Sequence, residues 1–251
     1  MSPRSAPRAD GRGADALRPV AIRRRYTSTP QGSVLIRLGN TQVLCTAMVE
    51  EGVPRFLDGT RSGWVTAEYA MLPGSTRQRK PRDSYARLDA RGVEIRRLIG
   101  RVLRAVVCLP GLAGHTVWLD CDVLEADGST RTAAITGAYV ALADATAWMR
   151  NHKLIPASPL RAMVAAVSVG ILDGQPALDL CYGEDAAAAV DMNVAMTDRG
   201  QLVELQGTGE QRTFTRPELG QMLDLAEAGT RELFECQTRA LRWKHKPWEA
   251  T

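Results

Sequence analysis

The chain has 251 residues, 45% of them hydrophobic, enough to bury a sizeable core in one large domain or two small ones. No apolar run reaches membrane-spanning length and the N-terminus lacks the apolar core of a signal peptide, so the expectation is a cytoplasmic protein with no membrane partner. Five widely spaced cysteines without a Cys-x-x-Cys pair, and three scattered histidines, argue against a disulfide framework and against structural zinc. The charge balance is only mildly basic, with 32 Lys and Arg against 28 Asp and Glu. Arginine far outnumbers lysine and falls in clusters, which suits bidentate phosphate recognition and a polyanion-binding face.

In chain order, residues 1–30 are polar, and the run Arg23-Arg24-Arg25 reads as a solvated edge. Ser33 to Leu38 and Thr41 to Val49 alternate as strands around Gly39-Asn40, a hairpin signal. Trp64 to Leu72 is a further strand, closed by Pro73. The stretch from Gly74 to Asp83 follows, with four positive charges and no apolar face; it is a loop, either solvated or in contact with a nucleic-acid backbone. Val93 to Leu109 has a helical apolar stripe on Ile95, Leu98, Ile99, Val102, Leu103 and Val106, and Pro110-Gly111 is expected to stop it.

Val117 to Leu124 alternates as a strand, Asp127-Gly128 breaks it, and Ser129-Thr130 stands where a helix over Ala133 to Met149 would be capped. Strand, glycine turn and helix start make an anion site, because free backbone N–H groups and the helix dipole point at one spot where Arg131 stands. An ordinary capped helix with a solvated Arg131 fits the same local pattern. In the second half, Met163 to Leu172 and Ala177 to Cys181 flank Asp173-Gly174, and Val190 to Thr197 and Gln201 to Gln206 flank Asp198-Arg199-Gly200. Asp185 precedes four alanines, as a helix cap does. Thr215 to Leu241 is a long helix with Pro217 in its first turn. The order predicts an α+β fold with two similar β-then-α halves.

Several segments carry a family resemblance. Cys121-Asp122-Val123-Leu124-Glu125-Ala126-Asp127-Gly128-Ser129-Thr130-Arg131-Thr132-Ala133 is similar to the signature segment of the ribonuclease PH family. Arg8-Ala9-Asp10-Gly11-Arg12 resembles that family's N-terminal Arg-Pro-Asp-Gly-Arg. Gly63 to Pro73, Glu94 to Arg101, Glu184-Asp185 with Val190 to Val194, and Glu204 to Thr208 resemble later family segments in the same order. One departure stands out: Ala90-Arg91-Gly92-Val93-Glu94-Ile95 lies where the family has Gly-Arg-Thr-Gln-Glu-Ile.

The resemblance implies a ribosomal-protein-S5-domain-2-like fold over residues 1–241 as a single domain; by composition, 1–8 are expected to be disordered and 242–251 a polar extension. It implies phosphorolysis of RNA from the 3′ end, including trimming of transfer-RNA precursors and other RNA 3′ ends, with inorganic phosphate as co-substrate. Magnesium, or manganese, is the implied metal, and a homo-hexamer built as a trimer of dimers the implied assembly. By the same resemblance Arg91, Ser129, Thr130 and Arg131 bind phosphate, and Asp185 and Asp191 serve catalysis and metal binding. Arg77, Arg79, Lys80, Arg82 and Arg87 fall in the region that holds the transfer-RNA body. The competing expectation is a catalytically inactive RNA-binding ring subunit of an exosome-like assembly. A third, one half of a polynucleotide-phosphorylase-like protein, is disfavoured because the chain has no room for a second core.

Overall fold

A computed structural model describes residues 8, 10–82 and 89–249. The first half builds a five-stranded sheet from β1 (Val20–Arg24), β2 (Gly32–Leu38), β3 (Thr41–Glu51), β4 (Trp64–Met71) and β5 (His115–Glu125), in the order β1-β2-β3-β5-β4. Gly39-Asn40 makes the expected hairpin, with Leu38 opposite Thr41. β4 lies parallel to β5, because α1 (Ala90–Ala105) carries the chain back between them. The second half is a four-stranded antiparallel sheet of β6 (Val164–Leu172), β7 (Gln175–Leu178), β8 (Val190–Thr197) and β9 (Leu202–Thr208), in the order β7-β6-β8-β9.

Two helices bind the sheets together. α2 (Thr130–Asn151) follows β5 and is apolar on nearly every side, so it is buried between β2 and β3 of one sheet and β6 of the other. Gly137 marks the closeness of that packing: a side chain there would meet Ile36 and the Cys45 sulfur at 2.8 and 2.9 Å. α4 (Arg216–Leu241) packs on β6, β7 and β1. It starts in a capping box between Thr215 and Glu218, with Pro217 in the first turn as expected. The α+β class and the duplicated β-then-α plan are observed.

The differences from expectation have physical causes. α1 starts a turn early, because Asp89 accepts a hydrogen bond from the Arg91 N–H, and it ends at Ala105 rather than Leu109. Val107 bridges to Leu160 and the Cys108 N–H donates to the Pro159 carbonyl, which draws the chain away. Pro110-Gly111 lies in a separate 3-10 turn, Leu109–Leu112. Arg23-Arg24-Arg25 is no bare edge: Arg23 and Arg24 end strand β1, and Arg24 pairs with Asp144 of α2. β7 ends at Leu178 rather than Cys181, since Asp179 takes a left-handed backbone (φ +56°). Asp185 is inside, not at the cap of, a short helix α3 (Tyr182–Ala187), whose N-cap is Cys181. Arg8, expected at the end of a disordered start, is anchored against Glu184. The tail folds back: Trp243 and Trp248 pack edge to face against the main core, and Lys246 pairs with Asp198.

Candidate active site

The turn from β5 into α2 is tight. Gly128 has φ +75° and Ser129 φ +56°, and a side chain at 128 would come within 2.5 Å of the Leu180 carbonyl, so only glycine lets the two segments touch. Ser129 occupies the N-cap position of α2 but caps nothing. Its hydroxyl instead meets Ser168 (2.8 Å), Asp179 Oδ1 (3.1 Å) and the Leu180 carbonyl (3.1 Å). The helix therefore begins without a side chain over its first N–H groups, the arrangement that favours an anion.

Arg131 is in the first turn of α2, and Arg91 acts with it on Tyr69, which bonds to Thr130 at that helix start. The Tyr69 hydroxyl, near the end of β4, donates to Thr130 Oγ1 at 2.9 Å. Burial pushes the Tyr69 hydroxyl pKa up, while Thr130, Arg91 and Arg131 act against that rise, so both guanidiniums bear on the same spot. Arg91 is exposed on the first turn of α1, and that turn is braced by Lys80, whose Nζ lies 3.0 Å from the Asp89 cap. Arg131 is mostly buried; it donates to Gln206 Oε1 at 2.7 Å and lies 3.5 Å from Glu94 Oε1. Gln206 in turn donates to Glu94 at 2.7 Å, which ties α2, β9 and α1 together at the site.

The acids are also within electrostatic reach of Arg131. Asp191 is on β8, opposite Gly170 of β6 and Thr208 of β9. Burial and the neighbouring Asp185 raise its pKa to about 6, Glu210 adds to the rise, and Arg131 opposes it. Asp191 Oδ1 is buried with no hydrogen-bond partner. Among the described residues no three His, Cys, Asp or Glu side chains converge as a metal cage. A pair of adjacent carboxylates with one unsatisfied buried oxygen fits a magnesium-type ion, which keeps waters and substrate phosphate as its remaining ligands. It does not fit a closed structural site.

In the basic loop Arg77, Arg79 and Arg82 are exposed, whereas Lys80 is held by Asp89 and the Met71 sulfur. Arg87 lies outside the described residues. The expected residues therefore divide into groups: Thr130, Arg131 and Arg91 around Tyr69, Asp191 beside Asp185 and Arg131, and Ser129 turned into the interior. Sequence reasoning assigned no role to Tyr69, Gln206, Arg18, Asp179, Arg8 or Glu184. Arg18 and Asp179 form a buried pair, 4% and 1% exposed, bonded at 2.6 and 2.9 Å. Their positions lie 161 residues apart, so no local pattern could have joined them.

Both halves of the chain match known proteins. A family model for the 3′ exoribonuclease family matches residues 16–147 with its domain 1 and residues 162–229 with its domain 2. Ribonuclease PH of Corynebacterium efficiens is 59% identical over 235 residues, 93% of this chain and 96% of that protein. Ribonuclease PH of Mycolicibacterium smegmatis is 56% identical over 236 residues, 93% of this chain and 91% of that protein. A structure of the Archaeoglobus fulgidus exosome with RNA bound to the active site superposes with a TM-score of 0.80 at 23% identity, over 92% of this chain and 93% of that one. Rice (Oryza sativa) Rrp46 gives 0.76 at 19% identity, over 93% and 100%. These two likenesses bear on the fold; the family-model and sequence matches, spanning both halves and every element of the site, make the chain a member of the 3′ exoribonuclease family, that of ribonuclease PH.

Proposed function

We propose that this protein is a phosphate-dependent 3′→5′ exoribonuclease, a nucleotidyltransferase that shortens RNA and releases nucleoside diphosphates. What supports the reading is the uncapped start of α2 bearing Arg131, with Arg91 and Arg131 acting on Tyr69 beside it and Asp185 acting on the buried Asp191. Phosphorolysis brings two anions together, so the barrier is largely electrostatic and fixed positive charge lowers it. Inorganic phosphate held by Arg131, Arg91, Thr130 and the first N–H groups of α2 attacks the terminal phosphodiester phosphorus. The P–O3′ bond to the penultimate nucleotide breaks as the new P–O bond forms. The products are a nucleoside 5′-diphosphate and an RNA one residue shorter, whose 3′ oxygen takes up a proton. Phosphate dianion is itself the nucleophile, so no serine or histidine is needed. Asp185 and Asp191 would hold Mg2+ or Mn2+, which supplies charge stabilisation for the departing oxygen.

The finer reading follows the family. The substrates are transfer-RNA precursors and other RNA 3′ ends in the cytoplasm, with the exposed Arg77, Arg79 and Arg82 along the RNA body. The protein works as a ring of six. The inactive ring subunit is not favoured, because Arg91, Arg131, Asp185 and Asp191 are all present. Incubating the protein and Mg2+ with a 3′-extended transfer RNA, with and without phosphate, tests the reading. Nucleoside diphosphates released only with phosphate support it; monophosphates released without phosphate overturn it.

A further inference from the structure

α3 carries Asp185 but has only six residues, Tyr182–Ala187, too short to hold itself, because helix nucleation is costly and a single turn repays little of it. It is held from outside by Arg8. The Arg8 guanidinium grips Glu184 with two parallel bonds, Nε to Oε1 at 2.7 Å and Nη2 to Oε2 at 2.5 Å. The same side chain donates to the carbonyls of Leu178 (2.6 Å) and Asp179 (2.8 Å), where the chain turns toward α3. Glu184 Oε2 also accepts the Cys181 N–H at 2.9 Å, closing the capping box. The pair is 6% and 12% exposed, so water competes little for it. Arg12 adds a further charge contact to Glu184, at 3.6 Å. Burial alone would raise the Glu184 pKa, and the bonds from Arg8 and Cys181 bring it below the ordinary value. Arg8 and Glu184 are 176 positions apart.

We propose that Arg8 and Glu184 are positioning residues for the metal half of the site: by clamping α3 from the N-terminal segment, they fix the Asp185 carboxylate beside Asp191. This rests on the reading of Asp185 and Asp191 as metal-binding. Phosphate capture is on α1 and the start of α2, which the clamp reaches only indirectly, through the Asp179 backbone, so its loss falls more heavily on metal affinity than on phosphate affinity. Its logic is that of groups behind a metal ligand, whose loss weakens metal binding by about 10- to 100-fold.

Binding of Mn2+ to the full-length protein, followed by electron paramagnetic resonance in the presence of inorganic phosphate, reads this directly. Arg8→Ala is expected to weaken Mn2+ binding about tenfold. Its KM for phosphate, measured at saturating Mn2+, is expected to change several-fold less than its Mn2+ affinity. Arg8→Lys keeps the charge with one bond, and Glu184→Gln keeps the Cys181 cap without the ion pair. Both are expected to lie between wild type and Arg8→Ala, and both give folded variants should the alanine form aggregate. Unchanged Mn2+ affinity in all three, in a wild type that releases nucleoside diphosphates, overturns the positioning role alone. An equal loss in phosphate KM and Mn2+ affinity also overturns it, since that marks general destabilisation. A wild type that neither binds Mn2+ nor releases diphosphates overturns this proposal together with the functional reading beneath it.

Discussion

Removing the Arg18 side chain tests how the phosphate turn is held. Arg18 donates to Asp179 through Nε (2.9 Å), Nη2 (2.6 Å) and its own backbone N–H (2.8 Å), and through Nη1 to the Asp127 carbonyl. Asp179 in turn accepts the Ser129 hydroxyl at 3.1 Å. Arg18→Met leaves Asp179 charged and buried, with only the Ser129 hydroxyl, the backbone N–H and the longer Arg12 contact at 3.4 Å. Breaking one side of a buried pair costs about 3–5 kcal/mol. For a chain of this size that lowers Tm by roughly 6–20 °C. The double change Arg18→Met with Asp179→Leu removes both charges and is expected to recover part of the loss. Urea unfolding at one fixed protein concentration measures both, and phosphorolysis at varied phosphate follows the turn. Ser129 loses its bond to Asp179 in the double variant but keeps Ser168 and the Leu180 carbonyl, so KM for phosphate is expected to recover less fully than stability. An Arg18→Met variant within about 1 kcal/mol of wild type would refute the reasoning, because a desolvated carboxylate cannot lose its main partner so cheaply.

Arg131→Met is expected to lower kcat/KM for phosphate by about 100- to 1000-fold, as loss of a fixed charge at a developing anion does, with steady-state phosphorolysis as the check. The Asp191 pKa near 6 implies that metal-dependent turnover rises with pH through that value, because the carboxylate must be ionised to bind the ion. Its effect on folding runs the other way. A folded-state pKa raised above the unfolded value stabilises the protein below about pH 4, and that contribution is lost as pH rises through about 6. Asp191→Asn should therefore abolish turnover yet stabilise the protein at pH 7 by on the order of 1–3 kcal/mol, seen as a higher urea midpoint; a lower midpoint would contradict the burial argument. Changing Arg77, Arg79 and Arg82 together to alanine should weaken transfer-RNA binding and reduce its log–log salt slope by roughly three, measured by filter binding across a salt series.

Much of this molecule is legible along the chain. Eight of the nine strands among the described residues are legible: alternation marks half-buried strands such as β3 and β5, and glycine turns bracket the fully buried β6. The apolar run after Arg131 marks the helix that both sheets cover. The segment around Asp127-Gly128-Ser129-Thr130-Arg131 marks the phosphate turn, because glycine, helix start and arginine are neighbours in sequence as well as in space. β1 stayed hidden because its outward positions carry Arg23 and its flanks are polar, so its signal comes from pairing with β2 rather than from its own composition. The sequence also suggested that Ser129 faces the anion; tertiary structure turned its hydroxyl toward Asp179, since a buried carboxylate needs donors more than a surface helix end needs a cap. Only folding could bring Arg18 to Asp179, Arg8 to Glu184, Tyr69 to Thr130, and Asp191 under the influence of both Asp185 and Arg131. Local residue type determined what each segment is. Burial and long-range charge pairing, which act between positions far apart in the chain, decided how those segments were joined into one site.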